Sequence, residues 1–180
     1  DWQRGDWWDA THLAWLNPSP NMRSLNAALL YPGVAMLEYS RNYSVGRGTD
    51  APFEQVGAEF IRGPDLASYL NKRMIPGVRV YPTFLQPDSS NLAGKNIEGI
   101  RFVITDRDAF NSSRLGLELA AALETLYPGR IDLQANKRLI GSDAVIAALE
   151  RGEDPRAIHQ RLVDELESFL ARRQKYLIYR

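Results

Sequence analysis

The sequence predicts an α+β domain in which several helices pack against a small mixed or antiparallel sheet. Two runs rich in β-branched and aromatic residues, VRVYPTFL (78–85) and GIRFVITD (99–106), have the composition of strands. Three helical patterns then follow with no strand between them. The elements come in blocks, without the strict strand–helix alternation of a parallel sheet, and blocks of this kind place helices on one side of a sheet.

Taken in chain order, residues 1–21 are rich in Trp, Asp, Asn and Pro and have no sustained period, so they read as irregular. MRSLNAALLY (22–31) reads as a short helix stopped by Pro32-Gly33. The apolar run VAMLEYS (34–40) has buried-strand character, although Met, Leu and Glu tolerate helix equally well. Gly46, Gly48 and Pro52 punctuate a loop from Asn42 to Pro52. Pro64 opens a helix through Met74, with Pro76-Gly77 beyond its end. QPDSSNLAGKN has the composition of an exposed connection between the two clear strands. Asn111, Ser112 and Ser113 offer capping oxygens to a helix through Leu126, in which Leu115, Leu119, Leu123 and Leu126 share a face. Ser142-Asp143 caps the next helix, through Arg151, and Gly152 closes it. Asp154-Pro155 starts the last helix, with a stripe of Ile158, Leu162, Leu166, Phe169 and Leu170.

Composition narrows the function. The 180 residues carry 22 Lys+Arg and 22 Asp+Glu, so no global positive field attracts a nucleic acid. Cysteine is absent and histidine occurs only at His12 and His159, which removes thiol nucleophiles, zinc–thiolate sites and histidine-rich metal centres. No cofactor or metal is expected. No apolar run approaches the roughly 20 residues of a membrane span. The chain begins at Asp1 without Met or a signal-type segment and reads as a processed or excised piece. Periplasmic, secreted and cytoplasmic locations all stay open.

The most unusual local sequence runs from Val45 to Glu54. Glycine on either side of Arg47 lets the backbone take positive φ and approach a ligand closely, and the guanidinium fork suits a carboxylate. Thr49, Asp50 and Glu54 add hydrogen-bonding groups; the alternative is a tight loop whose Arg pairs within the chain. Asn17-Pro18-Ser19-Pro20-Asn21 holds Asn17, Ser19 and Asn21 in a restricted backbone that suits sugar hydroxyls or acetamides, or else it is a linker whose Asn21 or Ser24 caps the next helix. Trp2, Trp7, Trp8 and Trp15 crowd the first fifteen residues, as a terminal arm packing on a neighbour would require, or as a sugar cleft would. Glu38 is a carboxylate in an apolar run, either a proton-transfer group or an ion-pair partner of Arg41 or Arg47. A glycosidase needs two facing carboxylates, and spacing brings neither Asp50 nor Glu54 opposite Glu38.

The segments NPSPNM (17–22), ALLYPG (28–33), SVGRGTDAPFEQVGAEFI (44–61) and FLARRQKYLIY (169–179) resemble, in order, those of the DUF1343 family of NamZ-like exo-β-N-acetylmuramidases. The resemblance implies a bacterial peptidoglycan glycosidase of cell-wall recycling, releasing N-acetylmuramic acid from non-reducing ends. It also implies two domains, a Rossmann-like catalytic one followed by a smaller auxiliary one, with the cleft between them. Only the C-terminal half is resembled. Residues 1–40 are expected to close the catalytic domain or to form a Trp-rich connecting arm, and residues 41–180 to form the auxiliary α+β domain. The expected partners are a muramic-acid-containing glycan and the missing N-terminal domain. On this expectation Glu38 stands near catalysis, while Asn17, Ser19, Asn21, Arg47, Thr49, Asp50 and Glu54 bind substrate. The isolated chain is expected to be inactive, and a non-catalytic carbohydrate-binding or assembly module remains the other reading.

Overall fold

The computed structural model describes residues 3–179, so Trp2 lies outside the described residues. Three strands form one antiparallel sheet in the order β1-β3-β2, with β1 at Gln55–Ala58, β2 at Val78–Leu85 and β3 at Ile97–Ile104. In register, Val80 stands opposite Phe102, and Ile100 stands between Val56 and Pro82. Helix α2 (Gly63–Lys72) lies on this sheet, against the face that buries Val78, Val80, Ile100 and Phe102. On the opposite face Tyr81 and Val103 are exposed.

Behind α2 runs α3 (Ser112–Leu126), buried without a break from Leu115 to Leu123. It packs against α1 (Leu25–Val34), α2, α5 (Asp143–Glu150) and α6 (Pro155–Arg173). A single turn of helix, α4 (Lys137–Ile140), precedes α5. Asn111 caps α3 by accepting from the Arg114 amide at 2.8 Å, and Ser142 and Asp154 cap α5 and α6. Leu30, Val34 and Leu37 share one hydrophobic cluster with the sheet and α3.

The structure corrects the sequence at several points. Residues 34–40 are no strand: α1 continues to Val34 and a 3-10 turn follows over Ala35–Leu37, which places Glu38 just past that turn. A short apolar run does not distinguish a buried strand from a buried helix end. Pro32 does not stop α1 but sits inside it. The Ser112 hydroxyl accepts from the Gly33 amide at 2.9 Å and donates to the Leu30 carbonyl at 3.1 Å, bridging the ladder where proline interrupts it. β3 lies two residues earlier than its composition suggests, while β1 and α4 carried no usable pattern.

A buried ion-pair knot joins three helices. Glu118 of α3 is 1% exposed and receives Arg73 bidentately, at 2.6 and 3.3 Å, while Arg73 also reaches Asp154 at 2.6 Å. These bonds raise the affinity of the Arg73 guanidinium for its proton, and the Arg73 hydrogen bond holds the Asp154 carboxyl below its usual range.

An added Cβ at Gly33 would meet the Ser112 carbonyl oxygen at 1.9 Å, so α1 and α3 approach only because no side chain stands there. Overpacking of this severity costs about 3 kcal/mol, and the better helix propensity of alanine returns about 1, so Gly33→Ala should lose about 2 kcal/mol in urea unfolding. Unchanged stability would mean that the helices separate freely. Separately, burial and then the charge of Arg114 lower the affinity of His159 for a proton. The unfolded chain therefore binds the extra proton first, and stability falls as pH drops through the ordinary histidine range near 6.5. Melting curves between pH 7.5 and 5.5 should be flatter for His159→Gln than for the parent.

Candidate functional site

Helix α1 and the loop at 46–54 form one unit, clipped together at both ends of the helix. At its start Ser24 accepts from the Ala27 amide at 2.9 Å as N-cap and donates its hydroxyl hydrogen to Glu54. Just past its far end Glu38 accepts from the Arg47 side chain at Nε. A ten-residue helix is about 15 Å long, so these contacts pin the loop at two well-separated points. Between them Tyr31 meets Phe53 edge-on, with ring centroids 4.8 Å apart, and the Arg47 guanidinium lies 4.9 Å from the Phe53 ring.

The loop backbone needs its glycines. Gly46 and Gly48 take φ of 79° and 75°, and Phe53 takes 63°. A Cβ at Gly48 would stand 2.4 Å from the Ser89 carbonyl oxygen, and the Gly48 carbonyl accepts from the Asp88 amide at 2.7 Å. Thr49 is spent internally: its hydroxyl donates to the Gly46 carbonyl at 2.6 Å and accepts from the Ala51 amide at 3.2 Å and from Gln55 Nε2 at 2.9 Å. Asp50 points out at the tip, exposed.

The two polar segments picked out in the sequence meet here. Arg23 donates from Nε to the Pro20 carbonyl at 3.0 Å and from Nη1 to the Thr49 carbonyl at 3.1 Å, tying the end of the Asn17–Asn21 stretch to the loop. Asn17 and Ser19 are exposed and Asn21 is half-buried, and among the described residues no hydrogen bond occupies their side chains. Arg101 on β3 adds a third cation, with Nη2 4.0 Å from Glu54. Glu38 and Arg47 are partners, with side chains 18% and 32% exposed. Only Nε of Arg47 is bonded among the described residues, which leaves the two terminal nitrogens of its fork open.

Sequence reasoning did not single out Arg23, Tyr31 or Arg101. Arg23 follows the proline-restricted stretch directly, a signal that could have found it. Arg101 had none, because its approach to Glu54 depends on the pairing of β1 with β3. Ser24 serves as the helix cap considered in the sequence and also as a link to Glu54. No group of three or more metal-ligating side chains occurs among the described residues.

Three clefts open elsewhere. One of about 450 Å³ lies between α2, α3 and the α5–α6 turn, where burial and the charge of Glu150 push the Glu124 carboxyl up. Others of about 500 and 270 Å³ lie beside Tyr39–Asn42 and between the start of α2 and Phe84. The loop at 46–54 lines none of these three.

The comparisons bear on what this site belongs to. Residues 29–179 match the family described as "Exo-beta-N-acetylmuramidase NamZ, C-terminal". Over 99% of its length the chain is 33% identical to the peptidoglycan beta-N-acetylmuramidase NamZ of Bacillus subtilis (strain 168), of which it covers 44%. A crystal structure of a DUF1343 family protein from Bacteroides fragilis NCTC 9343 superposes with a TM-score of 0.90 at 24% identity, over 99% of this chain and 49% of that one. A second from the same organism gives 0.68 at 24%, over 91% and 44%. The crystal structures establish the fold, and the chain spans about half the length of the relatives it matches.

The double duty of Ser24 generates a test. Losing both its cap and its bond to Glu54 should cost Ser24→Ala about 2 kcal/mol in chemical unfolding. Ser24→Asp keeps a capping oxygen but sets a second carboxylate against Glu54, so it should be no more stable than Ser24→Ala. Parent-like stability in Ser24→Asp would reduce Ser24 to a cap.

Proposed function

The chain belongs to the family of C-terminal domains of the exo-β-N-acetylmuramidase NamZ, and from that premise we propose that it supplies one wall of the substrate cleft of a two-domain peptidoglycan glycosidase. The substrate of that enzyme is a glycan ending in N-acetylmuramic acid, and the reaction is hydrolysis that releases the terminal sugar. The observation that supports this most is the meeting of the Asn17–Asn21 segment with the Gly46–Glu54 loop through Arg23. One wall of a cleft shared by two domains is a surface in either half alone, and Asn17, Ser19 and Asp50 are exposed here. The Trp-rich stretch ahead of α1 is then the joining arm.

The division of labour follows from the side chains. Muramic acid differs from other amino sugars by its lactyl carboxylate, and the open fork of Arg47 suits a bidentate contact with it. Asn17, Ser19 and Asn21 are free to hydrogen-bond the acetamide and hydroxyls, with Asp50 at the loop tip. Thr49 shapes the loop from within through its three hydrogen bonds, and Glu54 holds it to Ser24 through one carboxylate oxygen. Glu38 is the carboxylate this half offers to the chemistry. The second carboxylate of a glycosidase pair comes from the N-terminal half, which also makes the isolated chain inactive.

Steady-state kinetics of the two-domain enzyme test the assignment. Arg47→Ala should raise KM about tenfold to a hundredfold for muramic-acid substrates, the worth of a charge-assisted contact, and leave substrates without the lactyl group little changed. Equal loss on both removes Arg47 from lactyl recognition. In the same assay Glu38→Gln should lower kcat about a hundredfold or more with KM nearly constant. An effect on KM alone would make Glu38 the positioner of Arg47, and turnover by the isolated chain would overturn the two-wall reading.

A further inference from the structure

The second half of α6 carries an apolar stripe that the described residues leave bare. Ile158 is buried and Leu162 packs on the core, but Leu166 and Phe169 are each 49% exposed and Leu170 is exposed beside them. The tail beyond the helix continues in kind, with Tyr176 and Tyr179 exposed and Ile178 at 88%. A single exposed leucine is ordinary on a protein surface, whereas apolar side chains at helical spacing along an uncovered face mark an interface. The face is framed by charge, with Glu165, Glu167, Arg172 and Lys175 all exposed, as the rim of such an interface is.

The two ends of the chain meet at this place. Arg4 donates from Nη2 to the Tyr179 carbonyl at 3.3 Å, so the arm touches the tail there. The arm is itself fastened to the body. Trp7 donates its indole hydrogen to Asp108 at 3.0 Å, Arg107 bonds both Asp9 oxygens at 2.9 and 2.8 Å, and the Arg107 guanidinium lies 5.1 Å from the Trp7 ring.

We propose that the face bearing Leu166, Phe169 and Leu170, together with the Tyr176–Tyr179 tail, is the seat of the N-terminal half of the two-domain polypeptide. The proposal rests on the two-domain reading above. More than half of the matched relative's length lies outside the region this chain covers, and the matched family is the C-terminal part of its proteins. A half joined through the arm enters beside Tyr179 and is held at high effective concentration against the stripe. Interfaces between domains of one chain cover roughly 600–1,500 Å², and a two-turn apolar stripe with an aromatic tail supplies the apolar centre of such a contact.

Amide hydrogen exchange, recorded without any sugar, compares the 180-residue chain with the two-domain polypeptide. Residues 164–173 should exchange at least about tenfold more slowly in the two-domain protein, independent of protein concentration. The double variant F169D/L170D should return that segment to the isolated chain's rate while the isolated chain still unfolds in one cooperative transition, because Phe169 is 49% and Leu170 38% exposed there and neither belongs to the core. Equal exchange in the two proteins overturns the proposal. So does protection of the isolated chain that grows with its concentration, which would make a second copy the occupant, and so does a coding sequence with no upstream half. Because no sugar is present, this outcome stands apart from the cleft assignment, which the kinetics of Arg47→Ala decide.

Discussion

Where α1 crosses α3, the Gly33 backbone lies against Ser112, and Gly116 faces it with its own Cβ position 2.8 Å from the Gly33 carbonyl oxygen. Neither Gly33 nor Gly116 brings a side chain to the contact, so the backbones come close enough for the Ser112 hydroxyl to bond the Gly33 amide and the Leu30 carbonyl. That approach fixes the line of α1, and α1 in turn presents Ser24 to Glu54 at one end and Glu38 to Arg47 at the other. A shift of α1 away from α3 would stretch both clips together. The candidate site therefore draws its geometry from two glycines that lie outside it.

The Glu118 knot performs a different task. A carboxylate with almost no solvent contact is costly to desolvate, and its pairing with Arg73 offsets that cost without clear net gain. What the knot adds is definition: Arg73 at the end of α2, Glu118 within α3 and Asp154 at the start of α6 satisfy one another only in one mutual placement. The sheet rides on α2, so the position of β3, and with it Arg101, is set through the same three residues.

Elements governed by their own residues were legible in the sequence. β2 matches its composition residue for residue, and α3, α5 and α6 begin at the capping residues read for them. Elements decided by distant partners were not. β1 consists of Gln55, Val56, Gly57 and Ala58, of which only valine favours a strand, and it is extended because β3 offers it a ladder. Pro32 fails as a helix stop because Ser112, eighty positions away, bridges the ladder around it. The site divides the same way: the Gly46-Arg47-Gly48 turn was visible because positive φ is a local demand, whereas the clasp of Arg23 and the approach of Arg101 exist only after folding. The Glu38–Arg47 pair was named among the alternatives, although the backbone proposed for Glu38 was wrong.

Thr49, Gln55, Arg23 and Ser24 leave the loop at 46–54 little freedom of its own, and Gly48 lies too close to Ser89 to swing aside. Association at this loop would then surrender almost no backbone entropy, so a few well-placed contacts suffice for useful affinity. The same stiffness works as a size filter. A ligand that overfilled the turn by the width of a methyl group would find no backbone that yields, so shape would act there together with the charge of Arg47.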